Sequence, residues 1–329
     1  MAWCTVHAED GIHIIPTPNP YPIGKLNAIN LVEDLSYPNL QIKTLQKLET
    51  LAVENERNRV QMVEAGLANA LVSFLVSCYR KGEINGVEEC LSLFYLVRCS
   101  LICQSEGTLI EDDEIFDSLM WILVNDRCFR DNAVVKSYAA YTLEVIVQKC
   151  DQGMLERLKP ELFTIMMSYL NDFSTIFPQG TNSFLRVLLD TCPWIRNRVM
   201  MIESGAVFNL IELELRGPEK KTTELVFGIL YRLCSCADGR AQLLNHIAGI
   251  AVVTRQILKV SSTVDDRAVS IIGMICKYSG TDFVRGEMLR VGTVSKLCMV
   301  MQMMNCASCL KEKVRGILRM HFDVWKDLS

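Results

Sequence analysis

The 329 residues carry 34 Lys and Arg against 38 Asp and Glu, a net charge of −4, and half of them are apolar. That balance, with no long basic run and no basic stripe interleaved with aromatics, argues against nucleic acid as a partner. The longest apolar runs, such as Ile247–Val253, fall far short of the about 20 residues of a membrane span, and Met1–His7 has neither the basic nor the apolar region of a secretion signal. The expectation is a cytoplasmic chain, in part nuclear, with no membrane span.

Five of the nine prolines lie in the first 38 residues, and Pro16, Pro18, Pro20 and Pro22 alternate. Alternating prolines disfavour helix and favour an extended, semi-rigid connector. Residues 1–22 therefore read as a linker and residues 23–329 as one repeat domain. From Gly24 onward helices follow one another. Ile42, Leu45, Leu48 and Ala52 form an apolar stripe, and Val87, Cys90, Leu91 and Phe94 form another at i, i+3, i+4, i+7. Val226, Ile229, Leu230 and Leu233 repeat that spacing, as do Ala268, Ile271, Ile272 and Ile275.

One short pattern recurs between these stripes. It runs Asn58-Arg59 to Gly66, Asn197-Arg198 to Gly205, Gly239-Arg240 to Ile247, and Val284-Arg285 to Gly292, so an Arg stands seven residues before a turn position. The apolar pairs Met62/Val63, Met201/Ile202, Leu243/Leu244 and Met288/Leu289 mark the buried side of the short helix between. The Arg positions are separated by 139, 42 and 45 residues. The long gap is close to three steps of about 46, in the range of helical HEAT and armadillo repeats.

Two degenerate repeats are thus expected in the gap, using Asp117–Val124 with Val134–Val147 and Leu155–Tyr169 with Asn182–Leu189. The expected unit is a short helix, a Gly turn, a middle helix, a loop and a long helix. Gly takes the left-handed conformation past a helix end without a Cβ penalty. Ile247 does not, so that corner is expected to turn at Gly249. Cys192-Pro193-Trp194, Gly217-Pro218 and Ser279-Gly280 are read as breaks between units. The signature Arg is expected to pair with a carboxylate or a carbonyl of the neighbouring repeat.

The fourteen cysteines raise the question of disulfides or zinc. Cys90, Cys234, Cys276 and Cys298 fall in apolar helical periods, where a thiol acts as a small hydrophobe. Cys306-x-x-Cys309 is the one zinc-like spacing, with no second pair to complete it. The acidic run Glu111–Glu114 lacks the interleaved Gly of a calcium loop. No phosphate-binding Gly loop or nucleophile motif occurs. No metal, cofactor or catalytic residue is expected.

Further segments carry a resemblance. Trp3-Cys4, Gly11-Ile12 and Ile15-Pro16-Thr17-Pro18 resemble the stretch just after the U-box in plant U-box E3 ubiquitin ligases. Cys192-Pro-Trp-Ile-Arg-Asn-Arg198, Cys236-Ala-Asp-Gly-Arg240, Leu244-Asn-His246, Ala251-Val-Val253 and Leu318-Arg-Met-His-Phe-Asp-Val-Trp325 are similar to segments of their armadillo region. The resemblance covers nearly the whole chain and is weakest over residues 80–180. It implies an all-α fold, an armadillo-type α-solenoid: a right-handed superhelix of about six to seven repeats. It also implies the protein-binding half of a ligase of an immune and water-stress subgroup. The conjugating enzyme would be held only by a U-box, whose motifs are absent from these residues, so the chain is expected to be inactive alone.

In such ligases ubiquitin passes straight from the conjugating enzyme to a substrate lysine, which requires proximity and orientation rather than a nucleophile. A non-enzymatic adaptor with the same partners is the alternative. The resemblance places partner binding in a concave groove lined by the long helices. Glu88, Tyr95, Arg98, Lys136, Tyr141, Arg186, Glu224, Arg232, Arg267 and Lys277 are the candidate contacts, and Arg59, Gly66, Arg198, Gly205, Arg240, Arg285 and Gly292 form the structural signature. Trp121, Trp194 and Trp325 lack the regular spacing of an importin-like reader of basic peptides.

Overall fold

The computed structural model describes residues 3–8, 11–16, 22–103, 113–125, 132–173, 178–304 and 306–320. The chain divides into two compact units, Met1–Val145 and Ile146–Ser329, taken here in turn. The N-terminal stretch departs from a plain connector. Strands β1 (Trp3–Ala8) and β2 (Gly11–Pro16) pair antiparallel, with Trp3 opposite Pro16 and Ala8 opposite Gly11. The β-branched residues Thr5, Val6, Ile12, Ile14 and Ile15 suit paired strands. Pro18 and Pro20 lie outside the described residues.

In the first unit α1 (Lys25–Asp34) and α2 (Gln41–Glu54) precede a complete short–middle–long repeat: α3 (Glu56–Glu64), α4 (Leu67–Lys81) and α5 (Val87–Cys103). Helix α6 (Glu114–Val124) packs on α4, and α7 (Asn132–Lys149) follows. The long helices α2 and α5 lie against each other. Leu45, Leu48 and Ala52 are fully buried between them, whereas Ile42, in the first turn of α2, stays 38% exposed. Each fully buried Leu contributes about 1.5–3 kcal/mol of transfer free energy.

The second unit holds four such repeats. The first is α8 (Gln152–Glu156), α9 (Pro160–Phe173) and α10 (Pro178–Thr191), and the next is α11 (Ile195–Glu203), α12 (Ala206–Leu215) and α13 (Lys220–Leu233). Then come α14 (Ala237–Asn245), α15 (Gly249–Gln256) and α16 (Ser262–Ser279), and lastly α17 (Asp282–Arg290), α18 (Thr293–Gln302) and α19 (Ser308–Met320). Long helix packs on long helix, α10 on α13, α13 on α16 and α16 on α19. Hydrogen bonds between repeats recur at one-repeat separations. Asn197 Nδ2 donates to the Leu155 carbonyl at 2.9 Å, Gln242 Nε2 to Ile202 at 2.8 Å, and Lys296 Nζ to Ile257 at 3.0 Å. Armadillo-type repeats stacked as an α-solenoid account for both units.

The corners explain the recurring pattern. Gly66, Gly205 and Gly292 have φ of +89°, +81° and +77°, a left-handed backbone joining short helix to middle helix. Seven residues earlier, the Arg reaches back to the long helix before it. Arg59 Nη1 donates to the Ala52 carbonyl at 2.7 Å, Arg198 Nη1 to Cys192 at 2.7 Å, and Arg240 Nη1 to Cys234 at 2.9 Å. These carbonyls belong to a helix C-terminus, where four acceptors lack helical partners and the macrodipole favours a cation. Hydrogen bonds from a charged donor are worth about 1.5–3 kcal/mol. Arg285 departs from this pattern and pairs with Asp282 of its own helix.

The residue before the Arg completes the joint. Asn58 Nδ2 donates to Leu51 at 2.9 Å, and Asn197 Nδ2 also reaches Thr191 at 3.3 Å. In the third copy Gly239 stands there, and a Cβ on it would meet the Leu233 carbonyl oxygen at 2.1 Å. The motif Cys192–Arg198 is a joint of this kind throughout: Trp194 Nε1 donates to Glu156 at 3.0 Å and Arg196 Nη1 to the Leu158 carbonyl at 3.0 Å.

Five sequence expectations need correction. The corner after Arg240 does not turn at Gly249, which begins α15 and has no positive φ. Gly249 is required because a Cβ would lie 2.0 Å from the Leu243 carbonyl oxygen, and Ile247 projects outward, 95% exposed. Leu155–Tyr169 is two helices, because Pro160 starts α9 and cannot continue α8. Gly217-Pro218 lies within a repeat, between α12 and α13. Cys298 is exposed, and Leu244 and Leu289 are only half-buried beside their buried partners Leu243 and Met288.

Burial pushes the thiols of Cys192, Cys234 and Cys276 up to about 12, and Cys90 well above its ordinary range. Two measurements check this packing. Gly205→Val should destabilise by about 1–3 kcal/mol, the cost of a β-branched residue held left-handed, read as a shift in denaturant midpoint. Iodoacetamide at pH 8 should label Cys298 and Cys309 in the native protein, with Cys90, Cys192, Cys234 and Cys276 labelled only after denaturation, as mass spectrometry of digests would show.

Candidate partner-binding surface

The stacked long helices bury one stripe and leave polar and aromatic side chains beside it. In the first unit, Ser92 Oγ of α5 donates to Glu49 of α2 at 2.5 Å. One turn further along α5, Tyr95 meets two tyrosines of α7. Its ring centroid lies 5.0 Å from Tyr138 and 4.9 Å from Tyr141. The Arg98 guanidinium sits 3.8 Å over Tyr95 and 5.5 Å from the Tyr141 ring centroid. The i, i+3 spacing on α5 and on α7 puts each pair on one helix face.

The second unit binds its long helices with a polar ladder. Thr222 Oγ1 of α13 donates to Asn182 of α10 at 2.8 Å, and Arg267 Nη1 of α16 donates to the Glu224 carbonyl of α13 at 2.5 Å. Gly228 makes room for that crossing, since a Cβ there would lie 3.1 Å from Arg267 Nη1. Lys313 of α19 reaches Asp266 and Ser270 of α16 at 2.6 and 3.1 Å.

The ten candidates thus separate. Tyr95, Arg98 and Tyr141 converge in the first unit, joined by Tyr138, which sequence reasoning passed over. Glu88 is half-buried in the first turn of α5. Lys136 is a correction: it is 8% exposed, set in α7 beside buried Val135, Ala139 and Ala140. Arg186, Glu224 and Arg267 are half-buried on α10, α13 and α16, while Arg232 and Lys277 are exposed. Lys277 Nζ lies 4.9 Å from the Tyr278 ring centroid.

A different surface was invisible in sequence. A hollow of about 710 Å³ opens at the short-helix edge between α14 and α17, lined by Arg240, Leu244, Ile247, Tyr278 and Phe283 among others. Ile247, Phe283 and Tyr278 are 95%, 79% and 59% exposed. By residue type the first two look like core, so composition gives no signal for them. Beside them His246 is buried, with Nε2 3.0 Å from Glu212 and Nδ1 accepting from the Ala248 amide at 3.1 Å. With Nδ1 accepting from Ala248, Nε2 faces Glu212, so this imidazole ties α14 to α12.

Residues 28–329 match the family described as the plant U-box protein ARM repeat region. The chain belongs to that family. Its relatives include the E3 ubiquitin-protein ligase PUB24 of Arabidopsis thaliana, 35% identical over 98% of this chain and 78% of the relative. PUB23 of the same plant is also 35% identical, over 99% of this chain and 78% of the relative. Among solved structures, an engineered protein from the Northeast Structural Genomics Consortium superposes with a TM-score of 0.62 at 14% identity. It covers 89% of this chain and 67% of its own length, a likeness of fold alone. Among the described residues no single helix is long and apolar enough to cross a membrane.

The exposed and bonded basic residues of this U-box family array should behave differently. Reversing charge at Arg232 and Lys277 together should leave the melting temperature within about 1 °C, because neither supports packing. Arg267→Glu should lower it by several degrees by removing the donor to Glu224, at about 2–4 °C per kcal/mol for large domains. Calorimetry of the two variants decides between these roles.

Proposed function

We propose that this array recruits a protein substrate along the face of its long helices, for ubiquitin transfer from a conjugating enzyme held by a U-box. The supporting observation is the ordered stack of long helices, α10–α13–α16–α19 in the second unit and α2–α5 in the first. Their charged and aromatic side chains stand beside a mostly apolar core, in a chain whose relatives are E3 ligases. The chemistry asks of such an array only that it hold a substrate lysine near the thioester, so proximity and orientation are its contribution. The exposed Arg232 and Lys277 and the Tyr95 cluster are the side chains available for that contact. Recruitment would act in defence or stress signalling, as the resemblance of the terminal motifs implies, and in the cytoplasm, in part the nucleus, as expected from the sequence.

The chain joined behind the U-box of a plant relative, with ubiquitin-activating and conjugating enzymes, provides the test once a bound partner is identified. The proposal expects the partner to be ubiquitinated. Arg232→Glu with Lys277→Glu should reduce partner modification at least about tenfold, equivalent to 1.4 kcal/mol of binding, while self-ubiquitination is unchanged. Equal modification of the partner by the U-box without the array would contradict it.

A further inference from the structure

The tyrosine cluster of the first unit holds a cation, Arg98, with no anion paired to it among the described residues. Arg98 is half-buried with its guanidinium over the Tyr95 ring, and among the described residues its one hydrogen bond is to the backbone carbonyl of Tyr95 itself. Among the described residues no carboxylate lies within ion-pair distance of it. Glu88 and Glu89 sit about ten residues earlier on α5, roughly 15 Å along the axis at the helical rise. Glu49 is engaged by Ser92. Glu144 of α7 is buried at 5% exposure and already has an interaction partner. Tyr95 and Tyr138 make ring contacts and no hydrogen bond through their hydroxyls among the described residues.

A guanidinium laid flat on an aromatic ring keeps its in-plane donors in a fixed fork, matched to a carboxylate's two oxygens. Partial withdrawal from water strengthens such a pair relative to one on an open surface. Lys136, the nearest basic residue on α7 by sequence, is buried and has a partner, so the site offers one positive charge. One charge suits a carboxylate better than a doubly charged phosphate. Two of the four long helices of the second unit, α13 and α19, are net basic, while α10 and α16 balance: α13 carries Lys220, Lys221 and Arg232 against Glu224. Helix α19 carries Lys311, Lys313, Arg315 and Arg319 against Glu312.

We propose that the Tyr95–Arg98 face of α5, with Tyr138 and Tyr141 of α7, docks an acidic side chain of a protein partner. Arg98 takes the carboxylate bidentately and the tyrosine rings carry the adjoining backbone and methylenes. The proposal rests on the long helices being the recruiting face, and names the chemistry they read there.

Fluorescence anisotropy with the full chain and a labelled peptide of alternating Glu and Ala tests it, beside matched peptides bearing Gln, Lys or phosphoserine in place of Glu. The Glu peptide should bind at least tenfold tighter than the Gln and Lys peptides and weaken as salt rises. Arg98→Gln should reduce that affinity about tenfold and Tyr95→Ala severalfold, with circular dichroism and melting unchanged. Tyr95→Phe, which keeps the ring, should retain most of the binding.

If Arg98→Gln binds as wild type while Arg232→Gln with Lys277→Gln does not, the acidic dock lies elsewhere on the long helices. This inference then fails and the recruiting face stands. If no variant of either set changes binding, or the Glu peptide does not bind, the inference is overturned, and the chimeric ligase assay judges the face separately. Tenfold tighter binding of the phosphoserine peptide would overturn the assignment to a carboxylate.

Discussion

The array depends on one arrangement that three of its corners share: a guanidinium from the start of a repeat set against the last carbonyls of the long helix before it. Arg59, Arg198 and Arg240 all make it, across two units and very different neighbouring sequence. A helix C-terminus at a repeat joint leaves acceptors partly withdrawn from water, and an unsatisfied buried carbonyl costs about 1–3 kcal/mol. A single Arg meets several at once: Arg240 reaches Cys234, Ser235 and Cys236. After Arg59 and Arg198 a left-handed Gly seven residues later, Gly66 or Gly205, then sends the chain into the middle helix. Together they fix the angle at which each long helix meets the next.

That requirement explains why the corners were legible in sequence and the surfaces were not. Arg and Gly are used at the corners for properties few other residues share, so they recur at a countable spacing. The degenerate repeats were found because 139 residues is too long for one step, and α6 to α10 fill the gap with helices near the expected places. Gly249 was misjudged because glycine has two uses. A left-handed turn was inferred where the structure needs only the missing Cβ beside Leu243. Pro218 was misplaced for a similar reason, since a proline marks a helix start equally well inside a repeat and between repeats.

Partner-contact residues obey no such rule. Tyr138 has the residue type of a core aromatic and reveals its place only through its contact with Tyr95. Lys136, polar by type, is buried. Ile247 and Phe283, apolar by type, are among the most exposed side chains described. Within this chain the corner chemistry repeats while the long-helix faces differ from repeat to repeat, a division of labour between scaffold and surface. The resemblance carried by Cys192–Arg198 is a resemblance of joints: Trp194, Arg196, Asn197 and Arg198 all bond to backbone or side chains that hold repeats together.

Native-state hydrogen exchange of Arg240→Gln measures the central constraint most directly. The account predicts that amides in the last turn of α13 and in α14 lose protection by about tenfold or more, while those of α2 and α5 keep theirs. Unchanged protection around Cys234–Cys236 in a variant that remains folded would contradict it, and would make the signature Arg a passenger at the corner.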